Sequence, residues 1–237
     1  EFDRLGIAAD WVTTTVPTRV CTTLLDKQTG RTTELVENSP PIQADELKAF
    51  RAAFRQHTST ASTICVTGSL PAGTPSTYFR ELLAGTTAKT VLDIRGLELQ
   101  EALAIGPTVV KPNREELGMT VGHELTTDED LLQAMRQLNA AGAEWVIVSQ
   151  GPERLLASSL SELYEVLPPQ MPVVNPIGCG DCLTAGMAYG LEQGRSLTEA
   201  IALGIAAASQ NVQQILPARL DRDGLEELAA SIRAHAL

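Results

Sequence analysis

The stretch of this chain with the clearest chemical potential runs from Asn175 to Asp181 and reads Asn-Pro-Ile-Gly-Cys-Gly-Asp. Gly178 and Gly180 allow the backbone to turn, and the small-residue run after Asp181 predicts a helix that starts here. The first N–H groups of a helix have no acceptor within the helix and carry partial positive charge, so they attract anions. The carboxylate of Asp181 would stand beside them as a potential base. These residues therefore predict anion chemistry next to a proton acceptor.

Other polar residues follow directly after apolar runs that are typical of buried strands. In an α/β sheet, ligands collect at the carboxyl ends of the parallel strands, because those ends share one edge of the sheet. We therefore expect the residues after each run to line one rim together with the turn at 178–181. They are Gly68 to Pro71, Asp93 to Gly96, Lys111 to Glu116, and Ser149 to Gly151.

From residue 44 onward, segments with helical periodicity alternate with short apolar runs. Three predicted helices cover residues 44–57, 74–83 and 97–104. A fourth starts at a capping box of Thr126 with Glu129 and ends near Gly142. Two more start at Asp181 and at Ser196, and Ser196 forms a capping box with Glu199. The predicted strands cover residues 64–67, 90–94, 108–111, 145–149, 155–158 and 163–167. This alternation predicts one α/β domain over residues 1–237, with a doubly wound, mostly parallel sheet and helices on both faces.

Residues 10–37 have a different pattern, rich in threonine and valine. Two β-branched runs, 19–26 and 31–36, are joined by a turn over residues 27–30, which predicts an antiparallel hairpin. We interpret it as a lid or flap and as a surface for a homodimer, with an edge of the main sheet as the alternative. Residues 1–7 resemble the end of a helix that runs into a strand, so we expect preceding elements to be missing.

Composition limits the classes of partner. The formal net charge is −11 and the pI is near 4.7, which argues against a general nucleic-acid or anionic-membrane surface. The sequence shows no apolar run long enough to span a bilayer and no signal peptide at its start, so we expect a cytoplasmic protein that does not use a membrane. Four cysteines are too few and too scattered for a disulfide framework, which fits a reducing compartment.

Several of these motifs together resemble a known family. They are Asn175 to Asp181, Lys111-Pro-Asn-Arg-Glu-Glu116, Thr67-Gly-Ser-Leu-Pro71 and Thr18-Arg19. In type and order they are similar to the PfkB family of ribokinase-fold sugar kinases, in particular its 1-phosphofructokinase and tagatose-6-phosphate kinase branch. The resemblance implies a ribokinase-like fold and phosphorylation, dependent on ATP and Mg2+, of a phosphorylated ketohexose such as tagatose 6-phosphate or a fructose phosphate.

The resemblance also implies roles at individual positions. Asp181 would take the proton from the sugar hydroxyl, and the amides of Gly178, Cys179 and Gly180 would form the anion hole. Phosphoryl transfer depends mainly on positioning and charge stabilisation, which a helix N-terminus can supply.

The remaining roles concern the two substrates and the metal. Lys111 would contact the ATP phosphates, Ser149 and Gly151 the nucleotide, and Asn211 the nucleoside, while Asn113 and Glu116 would organise the waters of Mg2+. A guanidinium fork suits a phosphate dianion, so Arg19, helped by Ser69, is the candidate for the phosphate of the sugar. Residues 93–96 depart from the Asp-x-Ser-Gly pattern of the family, and no role is implied there.

Structural interpretations compete with these roles. The 178–181 turn could be only a tight connection, Asn113 with Glu116 could be only a capping box, and Arg19, Lys111 and Ser149 could be ordinary surface or turn residues. Gly186 and Gly190 indicate close helix packing and no chemistry.

Two other functions stay open at this point. Cys179 and Cys182 form a Cys-x-x-Cys at a predicted helix N-terminus, where a lowered thiol pKa would permit disulfide exchange. The second alternative is a kinase-like protein that binds nucleotide without turnover. Family members begin with a strand that carries a substrate-binding aspartate and a Gly-rich segment, and neither precedes Glu1.

Overall fold

The computed structural model describes residues 2–26, 28–29 and 31–237. A short 3-10 turn at Asp3–Leu5 precedes a two-stranded antiparallel sheet formed by β1 (Cys21–Leu25) and β2 (Thr32–Val36). The predicted hairpin is therefore confirmed, although Lys27 and Gly30 of its turn lie outside the described residues. It pairs with no strand of the main sheet in the described part of the chain.

The main sheet has seven strands among the described residues, and their order in space is their order in the sequence. They are β3 (Thr63–Thr67), β4 (Lys89–Asp93), β5 (Val109–Val110), β6 (Trp145–Ser149), β7 (Leu155–Ser158), β8 (Leu163–Val166) and β9 (Ala234–Ala236). Strands β3 to β6 pair in parallel, and β6 to β9 pair antiparallel. The four parallel strands leave their carboxyl ends at one edge, which is the edge predicted to carry the site.

Helices cover both faces of this sheet, as predicted. They are α1 (Ala44–Thr58), α2 (Tyr78–Leu83), α3 (Gly96–Ala102), α4 (Arg114–Val121), α5 (Asp128–Ala140), α6 (Cys179–Glu192), α7 (Leu197–Asn211) and α8 (Arg222–Ser231). Leu92, Val110 and Val148 face a core shared with the earlier helices, while Val91, Val109 and Ile147 face a core shared with α6, α7 and α8. Burial on both faces explains the continuous apolar runs.

Several element boundaries differ from the prediction. Helix α2 begins at Tyr78 and not at residue 74, because residues 71–77 form turns in which the Tyr78 amide donates to the Pro75 carbonyl at 2.9 Å. The capping box of α5 is Thr127 with Asp130, one residue later than predicted, and both reciprocal hydrogen bonds are present. Helices α4 and α8 and strand β9 were not among the predicted elements. No helix in the described residues is long and apolar enough to cross a membrane.

Helices α6 and α7 approach each other closely at glycine positions. A Cβ placed on Gly186 would lie 2.7 Å from the Cα of Gly204, and one placed on Gly190 would lie 2.8 Å from the Cα of Ala200. Both distances are below ordinary van der Waals contact, so only glycine fits this interface. The interpretation of Gly186 and Gly190 as packing residues is confirmed.

Candidate active site

A cleft of about 840 Å³ lies at the carboxyl ends of the parallel strands, partly beneath the hairpin. Almost every site residue expected from the sequence lines it. They are Arg19, Ser69, Lys111, Asn113, Glu116, Ser149, Gly151, Gly178, Cys179, Gly180 and Asp181. Segments separated by up to 162 residues in the sequence therefore meet in one place, as the prediction of a single rim required.

The segment from Val174 to Asp181 forms one wall of the cleft and is held from behind by the end of α7. The amides of Val174 and Asn175 both donate to the carbonyl of Val212, at 2.8 and 3.0 Å. The buried Asn175 side chain donates to the Ile215 carbonyl at 2.8 Å and accepts from the Ile177 amide at 3.0 Å. These bonds fix the turn from the side of α7.

Asn211 supports the same turn and does not line the cleft. Its side chain is fully buried, its Nδ2 donates to the carbonyl of Ile177 at 2.8 Å, and its Oδ1 accepts from the amide of Ala218 at 2.8 Å. Both polar atoms are engaged inside the protein, so this geometry does not present Asn211 to the cleft, where its expected contact with a nucleoside would be made. Its role is to position the turn.

The first turn of α6 presents backbone donors to the cleft. Gly178 is the N-cap residue and has a left-handed backbone (φ 78°, ψ 0°), which glycine adopts without strain. The amides of Gly178, Gly180 and Asp181 donate to no acceptor in the described part of the chain, whereas the Cys179 amide donates to the Pro176 carbonyl at 3.3 Å. Of the three amides expected to form the anion hole, those of Gly178 and Gly180 are therefore unengaged and that of Cys179 is engaged, while the amide of Asp181 is unengaged as well.

Lys111 lies at the floor of the cleft in a buried ion pair that was not predicted. Its Nζ is 3.1 Å from Oδ1 of Asp93, and the two side chains are only 4% and 15% exposed. A Cβ placed on Gly180 would lie 3.7 Å from this Nζ, so the ammonium reaches the first turn of α6. The interpretation of Lys111 as a surface charge is therefore wrong.

Asp93 also connects β4 to α6. The hydroxyl of Thr184 donates to Oδ2 of Asp93 at 2.7 Å and is 3.0 Å from the carbonyl of Gly180. Burial raises the pKa of Asp93, and the charge of Lys111 and the Thr184 hydrogen bond oppose that shift. An acid at the end of a predicted strand was the only sign of Asp93 in the sequence, and it was given no role because residues 93–96 depart from the pattern of the family.

Asn113 and Glu116 form a complete capping box at the start of α4. Oδ1 of Asn113 accepts from the Glu116 amide at 2.8 Å, and Oε2 of Glu116 accepts from the Asn113 amide at 2.9 Å. The structural interpretation is thus confirmed, yet both residues also line the cleft. An isolated parallel bridge between Asn113 and Ser149 places Ser149 beside them.

The described residues contain no group of three or more His, Cys, Asp or Glu side chains that could hold a metal ion directly. Magnesium keeps several of its waters and uses few protein ligands, so it does not need such a group. The amide oxygen of Asn113 and the carboxylate of Glu116 supply oxygen ligands of the type that a hydrated magnesium ion prefers. These residues fit Mg2+ bound through water.

The far side of the cleft contains the turn at Ser149 to Gly151. Gly151 has a positive φ of 58°, and the Gln150 amide donates to the Arg154 carbonyl at 3.0 Å. Arg154 lines the cleft but is held by Asp128 at 2.6 Å and by Glu165 at 3.2 Å. The position of Arg154 in the cleft was not predicted, because it is fixed by two carboxylates that lie on other elements.

The hairpin side of the cleft carries Arg19. This side chain is exposed, lines the cleft, and makes no ion pair or side-chain hydrogen bond with another described residue. Ser69 is exposed on the opposite, sheet side, directly after Gly68, whose amide donates to the Asp93 carbonyl at 3.2 Å. A cation and a hydroxyl therefore face one space.

The two thiols of the Cys-x-x-Cys have environments unsuited to disulfide exchange. Burial raises the pKa of Cys179 and raises that of Cys182 to about 11, where a lowered pKa was expected. Cys179 Sγ is also 3.3 Å from Nδ2 of Asn211, within the support of the turn. The partial positive charge of the helix N-terminus does not offset this desolvation.

A variant with Cys179→Ser and Cys182→Ala is expected to keep most of the kinase activity that the resemblance implies, because neither sulfur atom has one of the roles that the resemblance implies for phosphoryl transfer. In the unaltered chain, alkylation of Cys182 by iodoacetamide should become fast only as the pH approaches its thiol pKa of about 11, since the thiolate is the nucleophile. Initial rates of ADP release and of alkylation measure these effects. Rapid alkylation of Cys182 itself near neutral pH, or loss of turnover in the variant, would favour a thiol function.

Comparison with known proteins relates this site to a family. A model of the pfkB family of carbohydrate kinases matches residues 1–220. The tetrameric inhibited form of phosphofructokinase-2 from Escherichia coli has a TM-score of 0.84 and 25% identity, over 97% of this chain and 75% of that chain. The same enzyme in complex with fructose-6-phosphate has a TM-score of 0.74 and 27% identity, over 89% and 69%.

A more distant match supports the fold alone. The possible 1-phosphofructokinase from Thermotoga maritima has a TM-score of 0.86 at 17% identity, over 98% of this chain and 74% of that chain. The expected ribokinase-like fold is confirmed, as is the resemblance first noted in the motifs. Since the family model spans nearly the whole sequence, and its kinases share the fold described above, this chain belongs to the pfkB family of carbohydrate kinases.

Proposed function

We propose that this chain transfers the γ-phosphoryl group of ATP to a hydroxyl group of a phosphorylated ketohexose. The observation that carries the proposal is the position of Asp181, an exposed carboxylate at the first turn of α6, in the same cleft as the unengaged amides of Gly178 and Gly180. A base and an anion site in one turn are what attack by a hydroxyl on a phosphate requires.

The reaction follows from this arrangement. The Asp181 carboxylate accepts the proton of the sugar hydroxyl. The oxygen of that hydroxyl bonds to the γ-phosphorus, and the bond from the γ-phosphorus to the β-phosphate oxygen breaks, so that ADP leaves. The amides of Gly178 and Gly180 stabilise the charge on the transferring group, and Lys111 adds positive charge from below. Magnesium, when bound, would neutralise phosphate charge, and Asn113 and Glu116 would hold its waters.

The proposed acceptor class rests on the hairpin side of the cleft. Arg19 is an exposed cation without a protein partner among the described residues, in a protein whose net charge is −11. Such a guanidinium suits a phosphate group that the acceptor already carries, and Ser69 can donate at the same end. The complex of Escherichia coli phosphofructokinase-2 with fructose-6-phosphate lends support to this class. Tagatose 6-phosphate, fructose 1-phosphate and fructose 6-phosphate are the candidates.

Arg19→Ala is expected to raise the KM for the sugar phosphate by about 10- to 100-fold, the loss of one charge-assisted phosphate contact, and to change the KM for ATP little. Initial-rate kinetics with each substrate varied in turn measure both constants. Arg31→Ala is the matched control, because Arg31 lies on the same hairpin but does not line the cleft. Equal changes in both KM values would contradict the assignment of Arg19 to the acceptor.

A coupled ADP-release screen tests the function itself. With ATP and Mg2+, the three sugar phosphates are offered beside free fructose and free tagatose. We expect turnover with at least one sugar phosphate and much slower turnover with the free sugars. Equal use of free sugars would contradict the acceptor class. Binding of nucleotide by calorimetry, without ADP release for any acceptor, would favour the nucleotide-binding alternative.

We further propose that the outer face of the hairpin forms a homodimer. Side chains alternate along a strand, and Glu34 lines the cleft, so the face with Leu24 and Leu35 points away from it. These two leucines are 53% and 57% exposed. An exposed apolar strand face is stabilised by burial against a second copy.

The double variant Leu24→Glu, Leu35→Glu is expected to sediment as a monomer where the unaltered chain sediments as a dimer, because four introduced carboxylates would repel across the interface. Thr32→Glu, on the other face of the hairpin and opposite Leu25, is the control and should leave the dimer intact. Sedimentation velocity measures both. A monomeric unaltered chain would contradict this interface.

A further inference from the structure

Arg95 occupies a place in the cleft for which the reaction above has no role. It lies two residues after the end of β4 and is the N-cap residue of α3, with an extended backbone (φ −141°, ψ 173°). Its side chain is 56% exposed and lines the cleft beside Asn113 and Glu116. The sequence reads Asp-Ile-Arg-Gly here and not Asp-x-Ser-Gly, so a cation stands where a small hydroxyl residue would be expected.

The guanidinium of Arg95 competes for the carboxylate that is proposed to organise the metal waters. Its NH1 is 3.3 Å from Oε1 of Glu116, while Oε2 of Glu116 accepts from the Asn113 amide at 2.9 Å. Both carboxylate oxygens are thus engaged. The amide belongs to a rigid capping box, whereas the ion pair is exposed to solvent and is therefore weak and exchangeable.

The other cations on the sheet side of the cleft are not exchangeable in this way. Lys111 is buried against Asp93, and Arg154 is held by two carboxylates at 2.6 and 3.2 Å. Arg95 is more exposed than either, and its single carboxylate partner is the one nearest the proposed metal. An arriving polyphosphate would therefore find Arg95 the most available cation on this side.

We propose that Arg95 couples nucleotide binding to metal loading by moving between Glu116 and the nucleotide phosphates. This inference rests on the proposed function. A phosphate offers a guanidinium more negative charge and a bidentate geometry, so it displaces a weakly bound carboxylate. Oε1 of Glu116 would then be free to accept a hydrogen bond from a water molecule bound to the metal. Because guanidinium and metal compete for one oxygen, binding of nucleotide strengthens binding of metal, and the reverse holds equally.

The test uses Mn2+ as a spectroscopic substitute for Mg2+, since both prefer oxygen ligands. In Arg95→Ser without nucleotide, Mn2+ measured by electron paramagnetic resonance is expected to bind about two- to fivefold more tightly, which is the value of a lost exposed ion pair. A non-hydrolysable ATP analogue with Mg2+, measured by calorimetry, is expected to bind that variant about tenfold more weakly. The analogue should therefore strengthen Mn2+ binding less in Arg95→Ser than in the unaltered chain.

Two further variants isolate the pair. Glu116→Gln should remove the effect of Arg95→Ser on Mn2+ binding, so the double variant should bind Mn2+ no more tightly than Glu116→Gln alone. Arg136→Ser, which removes an exposed arginine from α5 outside the cleft, should change neither measurement.

The outcomes separate this inference from the function on which it rests. Unchanged or weaker Mn2+ binding in Arg95→Ser overturns the competition for Glu116. Weaker binding of the analogue without tighter binding of Mn2+ makes Arg95 a phosphate contact only and overturns the coupling. If all these effects appear but the unaltered chain phosphorylates no ketohexose phosphate, the proposed function fails while the role of Arg95 stands.

Discussion

The Asp181→Asn variant is expected to lose about 10²- to 10⁴-fold in kcat, the usual contribution of a positioned general base. The amide of asparagine has nearly the shape of the carboxylate but cannot take the proton of the attacking hydroxyl. Because the exposed side chain supports no other described residue, the first turn of α6 and its free amides should keep their positions. Nucleotide affinity should therefore be unchanged or slightly higher. ADP release at saturating substrates and calorimetry with nucleotide measure the two quantities.

A matched control distinguishes loss of the base from loss of a charge at a helix start. Asp223 lies in the first turn of α8, outside the cleft, and Asp223→Asn makes the same chemical change there. That variant should keep full turnover. If Asp181→Asn also keeps its turnover, proton transfer to Asp181 is not part of the reaction and the proposed mechanism is wrong.

Gly186→Ala is expected to cost about 2–3 kcal/mol of unfolding free energy, as overpacking of a well-filled interface does. The added Cβ would lie 2.7 Å from the Gly204 Cα and 2.8 Å from the Leu203 carbonyl oxygen, so the backbones of α6 and α7 must separate. The gain of about 1 kcal/mol in helix propensity from glycine to alanine does not compensate. Urea denaturation of both proteins measures the change in unfolding free energy, provided that the slope of this free energy against urea concentration is the same for both.

Gly224→Ala supplies the control for that experiment. Gly224 is also a helical glycine, but the nearest atom to an added Cβ is Oδ2 of Asp221, at 3.0 Å, at the end of a side chain that can move. Its unfolding free energy should change by less than about 1 kcal/mol. Equal losses at positions 186 and 224 would mean that helix contact is not the cause of the cost.

The sequence revealed those parts of the site whose residues lie close together in the chain. The turn at 178–181 places its amides and its carboxylate within four consecutive residues, and the pair of Asn113 and Glu116 lies within one helical turn. The strand ends could be assigned to one edge because alternating helices and strands constrain the sheet to be largely parallel. The fold class and the shared rim were therefore predictable.

The parts that could not be predicted depend on contacts between distant segments. Asp93 and Thr184 are 91 residues apart in the chain, and only the packed structure joins them. The nucleoside contact of Asn211 was implied by the family resemblance, and the burial of its side chain is not visible in a sequence. The shifted capping box has another cause: Thr126 with Glu129 and Thr127 with Asp130 satisfy the same pattern, and tertiary packing selects the second.

The support of the catalytic turn has a consequence for how this chain should be altered. Val212 and Asn211, at the end of α7, hold the turn in place, while Gly186 and Gly204 set the separation of α6 from α7. The position of the carboxylate proposed as the base, Asp181, therefore depends on an interhelical distance. Two glycines that do not line the cleft thus set the spacing behind the proposed active site, so we expect tightness of helix packing and turnover to change together in this protein.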